Sequence, residues 1–525
     1  MIIPTLSRRS SLSKQSNQEK NNETGQLKDG LKTPHTLIWS NVPLWDTQHS
    51  VLIEEAVRQQ QIGNKVSILS CKSALIGCPA NPKRRAYRCA ACRIVQASQQ
   101  RRLSKYGFYF VPLRLSLQRR INFRLSRIKL RHTRPPLQEA IFRETMGDIP
   151  TGAFAISELR GDPRETKLSS SQLRMAQQVL WEAPELQRAC TQIQLSEHLT
   201  RVVCWNGRRM SDGFVAQCFQ KIGVEVQSVV TGTSMDTYLA HNGSYVLGDL
   251  KDRFNQFRAE DQANSTDHNT GTQYMERYAQ GGQYPGAPPV VKGPLNEFSS
   301  RFFYLAVTSN WAIEASHLPE SFRYEALNLF EAHLEAIDRA ATVLNKEIVL
   351  RWHPNLAKAN KPTRSWLNSC VGKYSNVVHL RPESPINTYA LVKRAELILD
   401  FGSTVGVYAG AAGKDVIHLT PNSKHIDGPF PNPDTLLQIL QTRIFNLQGN
   451  KEERQKASSD WFRFLAQLER QRQVTKISGP HGPAFFYHGG DWIRLSPPWF
   501  FIRPEFVRHH IKKNRSGGQS GAVRI

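Results

Sequence analysis

The stretch "LILDFGSTVGVYAGAAGKDVIHL", residues 397–419, limits what this chain can become. An apolar run, a Gly-Ser-Thr turn, a run of small residues and a second apolar run fit into it. Two strands joined by a helical crossover lie parallel in one sheet. The alternation recurs in both halves. In the first, strands at 36–40 and 65–70 flank a helix near 48–61, which Asp46 or Thr47 can cap. Strands at 201–205 and 224–230 flank a helix over 211–222. In the second, strands at 301–308, 347–352 and 376–380 precede the opening stretch, with helices at 320–343, 362–371 and 385–394. Pro385 suits the first position of the last of these. The expected class is α/β, with two doubly wound, Rossmann-like domains and a site in the cleft between them.

Residues 1–34 read as a polar, disordered tail, and 35–248 as the first α/β domain. The Gly- and Pro-rich segment 249–297 reads as a linker. Residues 298–475 form the second domain, and 476–525 an aromatic, Pro-rich basic tail. Residues 114–170 are basic and Pro-interrupted and show no clear period. A helix is expected over 169–189, with a break near Pro184.

Charge narrows the partners. The net charge is +25, and between Ala56 and Gln138 there are 19 Lys and Arg and no Asp or Glu. Such a field draws an anionic membrane surface, an acidic glycan or a lipid-linked acceptor, or else it is a solvated basic face. Aromatics are not interleaved as in stacking platforms, so nucleic acid ranks below these partners. No apolar run reaches membrane-spanning length. Eight cysteines in 525 residues are too few for a disulfide scaffold. The expected location is cytoplasmic, at most peripheral on the inner face of the plasma membrane.

Four places carry candidate chemistry. Gly402 turns the chain so that Ser403 and Thr404 open a helix, where free amides and hydroxyls suit a phosphate or simply cap the helix. "VLRWHPN" sets Arg351, His353 and Asn355 at a strand's carboxyl end, with Pro354 stopping the strand. Arg351 or His353 could pair with a phosphate, and a histidine there suits acid–base work. "CWNGRR" ends another strand in a tight turn at Asn206-Gly207-Arg208, either a plain turn or an acceptor contact. Cys71, Cys78, Cys89 and Cys92 follow a C-x6-C-x10-C-x2-C spacing, which suits either a structural zinc or four reduced thiols. Four thiolates would leave no open position for catalysis, and no Asp-x-Asp motif is present, so no catalytic cofactor is expected.

The pairing of "RWHPN" with "LRPESPINTYALVKRAELILDFGSTVGVYAGAAGKDVI" resembles the C-terminal donor domain of GT-B glycosyltransferases of the capsule polysaccharide type. Its His-Pro and Ser-Thr motifs are similar to those of bacterial sialyltransferases and capsule Kdo transferases. The resemblance spans roughly 300–420. It implies that His353, Ser403 and Thr404 hold the phosphate of a nucleotide-sugar. It implies that the base lies against the loop of Arg381 and Glu383. It also sets Tyr408 where those families place a glutamate that binds sugar hydroxyls. The Asn206–Arg208 turn resembles one in surface-carbohydrate proteins of this group. His49 falls where an acceptor-side base can sit, or it is a capping partner. The implied activity is metal-independent transfer of a sugar from a nucleotide-activated donor to a surface-polysaccharide or lipid-linked acceptor. Two alternatives stand beside it: a nucleotide-sugar epimerase, and a non-catalytic scaffold that binds polyanions or membranes.

Overall fold

The computed structural model describes residues 33–41, 46–75, 78, 81, 85–115, 135–159, 168–231, 238–244, 250–261, 271, 273–276, 303–307, 326–353, 356, 361–374, 377–384, 386–419, 430–442, 451–471, 485–488 and 491–494. The first half begins with β1 (His35–Ile38), α1 (Asp46–Gln61), β2 (Lys65–Ser70), α2 (Ala86–Leu103) and β3 (Tyr109–Pro112). Four helices follow: α3 (Gln138–Phe142), α4 (Thr151–Leu159), α5 (Ser170–Leu180) and α6 (Ala183–Glu197). Then come β4 (Arg201–Trp205), a π-helical turn (Met210–Phe214), α7 (Val215–Lys221), β5 (Glu225–Thr231), β6 (Tyr238–Asn242) and α8 (Leu250–Asp261). The sheet runs β3-β2-β1-β4-β5-β6, parallel except for β6.

The second half holds β7 (Phe303–Val307), α9 (Ala326–Leu344), β8 (Ile348–Arg351), α10 (Lys361–Lys373), β9 (Val377–Leu380) and α11 (Thr388–Arg394). It continues with β10 (Leu397–Phe401), α12 (Thr404–Ala411), β11 (Asp415–His418), α13 (Pro433–Thr442) and α14 (Lys451–Gln471). Its sheet runs β11-β10-β7-β8-β9, all parallel. A two-stranded antiparallel hairpin, β12 (Phe485–His488) and β13 (Asp491–Arg494), lies within the stretch read as a tail.

Both sheets are doubly wound. The chain enters at a central strand, steps outward twice, then returns to the other side. The winding reverses between β1 and β4, and again between β7 and β10. The strands are buried on both faces, as parallel sheets require: β1, β8 and β10 are buried throughout. In the second sheet Phe303, Leu305, Leu350 and Leu399 pack against α9, α10 and α13. The alternate residues Tyr304, Val349, Ile398 and Val416 pack against α11, α12 and α14. That second cluster also takes in Leu239 of β6 and Phe254 of α8, so α14 joins the two halves. Trp461 meets the Phe254 ring edge-on at 5.2 Å, and Arg258 pairs with Asp460 at 3.5 Å.

Some local expectations are corrected. The 385–394 helix begins only at Thr388, because Asn387 accepts the amides of Tyr389 and Ala390 and caps it there. The 169–189 helix is two helices that meet at Trp181-Glu182, and Pro184 sits inside the first turn of the second. The 211–222 helix opens with a π-helical turn before it becomes α. Asp46 is already the first residue of α1. Pro385 lies outside the described residues.

Candidate functional site

Ligands of open α/β sheets gather beyond the carboxyl ends of the strands where the winding reverses. In the second sheet that point is the exit of β10, beside β7. The register sets one residue of each strand in a row there: His418, Asp400, Ala306, Arg351 and Leu380. At normal strand spacing, Arg351 and Asp400 stand about 10 Å apart across the strand that carries Ala306.

Asp400 is fully buried. One carboxylate oxygen accepts the Ser403 amide at 2.8 Å, and the other accepts His418 Nδ1 at 3.0 Å. The carboxylate lies under the first turn of α12. A Cβ at Gly406 would stand 2.5 Å from its Cγ, which is why that position is glycine. Ser403 Oγ accepts the Val405 amide at 3.2 Å. Of the two roles open to this hydroxyl, capping is the one it performs here. A buried carboxylate also serves the positive end of this helix dipole. The side chain of Thr404 lies outside the described residues, as do Pro354 and Asn355.

Arg351 differs. Its side chain is 6 % exposed, and its Nη2 donates to the Ser384 carbonyl at 3.3 Å. Its Nε and Nη1 are buried and have no hydrogen-bond partner. Burial pulls the guanidinium pKa down from its ordinary value. His353 feels the same place: burial first, and the Arg351 charge second, hold its imidazole at about 4. At neutral pH His353 is therefore neutral, able to share a hydrogen bond but not to act as a cation. Arg381 and Glu383 are exposed in the loop after β9, next to Ser384. Tyr408 is a core residue. Its ring meets Tyr389 edge-on at 4.6 Å, and burial raises its phenol pKa.

The first sheet reverses between β1 and β4. Asn206 and Gly207 leave β4 with positive φ, 57° and 69°. Asn206 Oδ1 is buried without a partner. Gly213 must be glycine because a Cβ there would lie 2.1 Å from the Gly207 carbonyl. His49 is buried, with Nδ1 2.6 Å from Ser40 Oγ just beyond β1. Burial holds its pKa at about 4.

Two buried acids stand here as well. Glu158 of α4 accepts the Ser211 amide at 2.7 Å and its hydroxyl at 3.0 Å. Burial pushes it up to about 8, against the opposing charge of Arg209. Asp212 accepts the amides of Arg209 and Gly213, and burial lifts it to about 6. Burial also raises the thiols of Cys71 and Cys92, and Asn81 donates to Cys89 Sγ at 3.2 Å. Among the described residues, no three His, Cys, Asp or Glu side chains are arranged to hold a metal ion.

Sequence reasoning brought Arg351, His353 and Ser403 to one sheet edge, and the structure places them there. It missed Asp400, His418, Glu158 and Asp212.

No family model matches the chain, and no curated protein matches it. Solved structures with a similar course include the β Kdo 2,7 transferase KpsC of Thermosulfurimonas dismutans. That match has 13 % identity and a TM-score of 0.30, over 52 % of this chain and 80 % of the other. The UDP-GlcNAc 2-epimerase of Neisseria meningitidis matches at 10 % identity and a TM-score of 0.24, over 84 % of this chain and 100 % of the other. MurG of Acinetobacter baumannii matches at 9 % identity and a TM-score of 0.24, over 83 % and 99 %.

Proposed function

We propose that this chain is a glycosyltransferase that moves a sugar from a nucleotide-activated donor to a hydroxyl of a surface-polysaccharide or lipid-linked acceptor. One observation carries the reading. A buried guanidinium with two unpartnered nitrogens sits at the carboxyl edge of a doubly wound sheet. An uncompensated buried cation is costly, and a bound anion relieves that cost. The phosphate of a nucleotide-sugar would take Nε and Nη1 of Arg351, with His353 sharing a neutral hydrogen bond beside it. The amide and the hydroxyl of Ser403 are both already used, so at this turn Thr404 would offer its backbone amide.

In the reaction the acceptor oxygen forms a bond to the anomeric carbon. The bond from that carbon to the phosphate oxygen breaks, and the nucleotide leaves with the electron pair. Arg351 opposes the charge that grows on the leaving phosphate. The hydroxyl proton needs a base. His49 is buried and holds its pKa far below neutrality, so the motif resemblance alone supports it for that role. The Asn206–Arg208 turn, at the reversal point of the first sheet, would meet the acceptor.

Calorimetric titration with CMP, CDP and UDP tests the donor site. At least one should bind, and Arg351→Met should weaken it about 10- to 100-fold, the worth of one charge-assisted hydrogen bond. Equal affinity in the variant would refute the assignment. Product analysis with a labelled nucleotide-sugar separates transfer from isomerisation.

A further inference from the structure

Helix α2 has two faces of different character. Val95, Gln96, Gln99 and Leu103 are buried against the body of the first domain. The opposite side carries Tyr87, Ala90, Ile94, Ala97 and Arg101, spaced three, four, three and four apart, which is one stripe of an α-helix. Tyr87 is 52 % and Ile94 59 % exposed, so the middle of the stripe offers a tyrosine and an aliphatic side chain to solvent. Arginines frame it. Arg85 and Arg93 are exposed, and beyond Arg101 comes the exposed Lys105 in the short turn that ends the helix.

The first turn has no acid, although a helix N-terminus favours one; it opens on Arg85 instead, with Arg88 close behind. No Asp or Glu occurs anywhere from Ala56 to Gln138 that could neutralise this face locally. A face built only to keep the chain in solution would mix both signs and bury its isoleucine.

We propose that the outer face of α2 docks the protein on an anionic lipid surface. Tyr87 and Ile94 would enter the headgroup boundary, and Arg85, Arg93, Arg101 and Lys105 would lie on the lipid phosphates. The exposed apolar spine favours lipid over a dissolved polyanion. Arginine stems run along an apolar boundary while their heads reach phosphate. A polyanion in water would use the charges and leave Ile94 wet.

The test is co-sedimentation of the full chain with vesicles of phosphatidylcholine alone and of phosphatidylcholine with phosphatidylglycerol. Heparin serves as a soluble polyanion. The wild-type chain should sediment with the anionic vesicles and not with the neutral ones. Arg93→Glu with Arg101→Glu should lower partitioning tenfold or more, since each basic residue near such a surface contributes roughly fivefold. Tyr87→Ser with Ile94→Ser should lower it several-fold while leaving heparin binding unchanged. These side chains face solvent, and circular dichroism checks that both variants fold. Three outcomes would overturn the proposal: a wild-type chain left in the supernatant, both variants sedimenting like the wild type, or heparin binding lost in the apolar variant.

Discussion

Arg351 concentrates the conflict between stability and binding in one side chain. Its two unpartnered nitrogens cost the empty protein stability and are worth affinity only when an anion arrives. Arg351→Met should therefore raise resistance to urea by about 1–3 kcal/mol while it weakens nucleotide binding. A variant that lost both would show that the guanidinium supports the fold. Gly406 makes a second residue-scale case. An alanine there would drive a methyl into the Asp400 carboxylate, so Gly406→Ala should cost about 1–3 kcal/mol in urea titration. The run of small residues around it was legible, but the carboxylate that Gly406 must leave room for was not. Asp400 and His418 are 18 residues apart and meet only because β10 and β11 pair in register. Nothing within the stretch 397–419 announces a register before the sheet exists.

At the scale of single elements, capping decided what could be read. The run of small residues correctly marked α12. The cap it needs is Ser403, and Ser403→Ala should cost about 1 kcal/mol. In α11, the Asn387 cap outweighed the better-known signal of proline. Helix α4 was not legible at all. Its nine residues, TGAFAISEL, are buried on every side, so no amphipathic period exists to detect.

Glu158 gives α4 a measurable signature. The folded chain holds a proton on Glu158 up to about pH 8, whereas the unfolded chain releases it near the ordinary carboxylate range. Stability on this account falls as pH rises through that window. Asp212, lifted to about 6, acts in the same sense below that pH. His49 and His353 act oppositely. Burial holds both near 4, so stability gained from them rises with pH and is complete by about 6.5. Between pH 6.5 and 8 the Glu158 contribution stands alone among these four. Urea unfolding should show stability falling there by up to about 2 kcal/mol, and Glu158→Gln should flatten the slope.

On the scale of the whole molecule, the two doubly wound sheets were plain in the alternation of strand and helix. The short antiparallel edge β6 was not, since Tyr238–Asn242 ends in His and Asn and does not read as a strand. Nor could the sequence show that α14 leans on the first half through Trp461, Phe464 and Phe254. Because of that helix, the two halves should unfold together. Trp461→Ala should cost about 3–5 kcal/mol and split a single calorimetric transition into two. A single lowered transition would mean the halves are coupled elsewhere.

The placement of β1 beside β4 also bears on how the chain is made. His35 and Thr200 are hydrogen-bonded across 165 residues, with the acid-free stretch in between. At ordinary rates of synthesis, on the order of ten seconds or more separate the emergence of the two partners from the ribosome. For that interval the nascent chain exposes the open flank of its central strand and a long cationic segment, close to a particle rich in RNA. The first half of this protein should therefore be slow to close on itself during synthesis, whereas the second, with its closer partners, should close sooner.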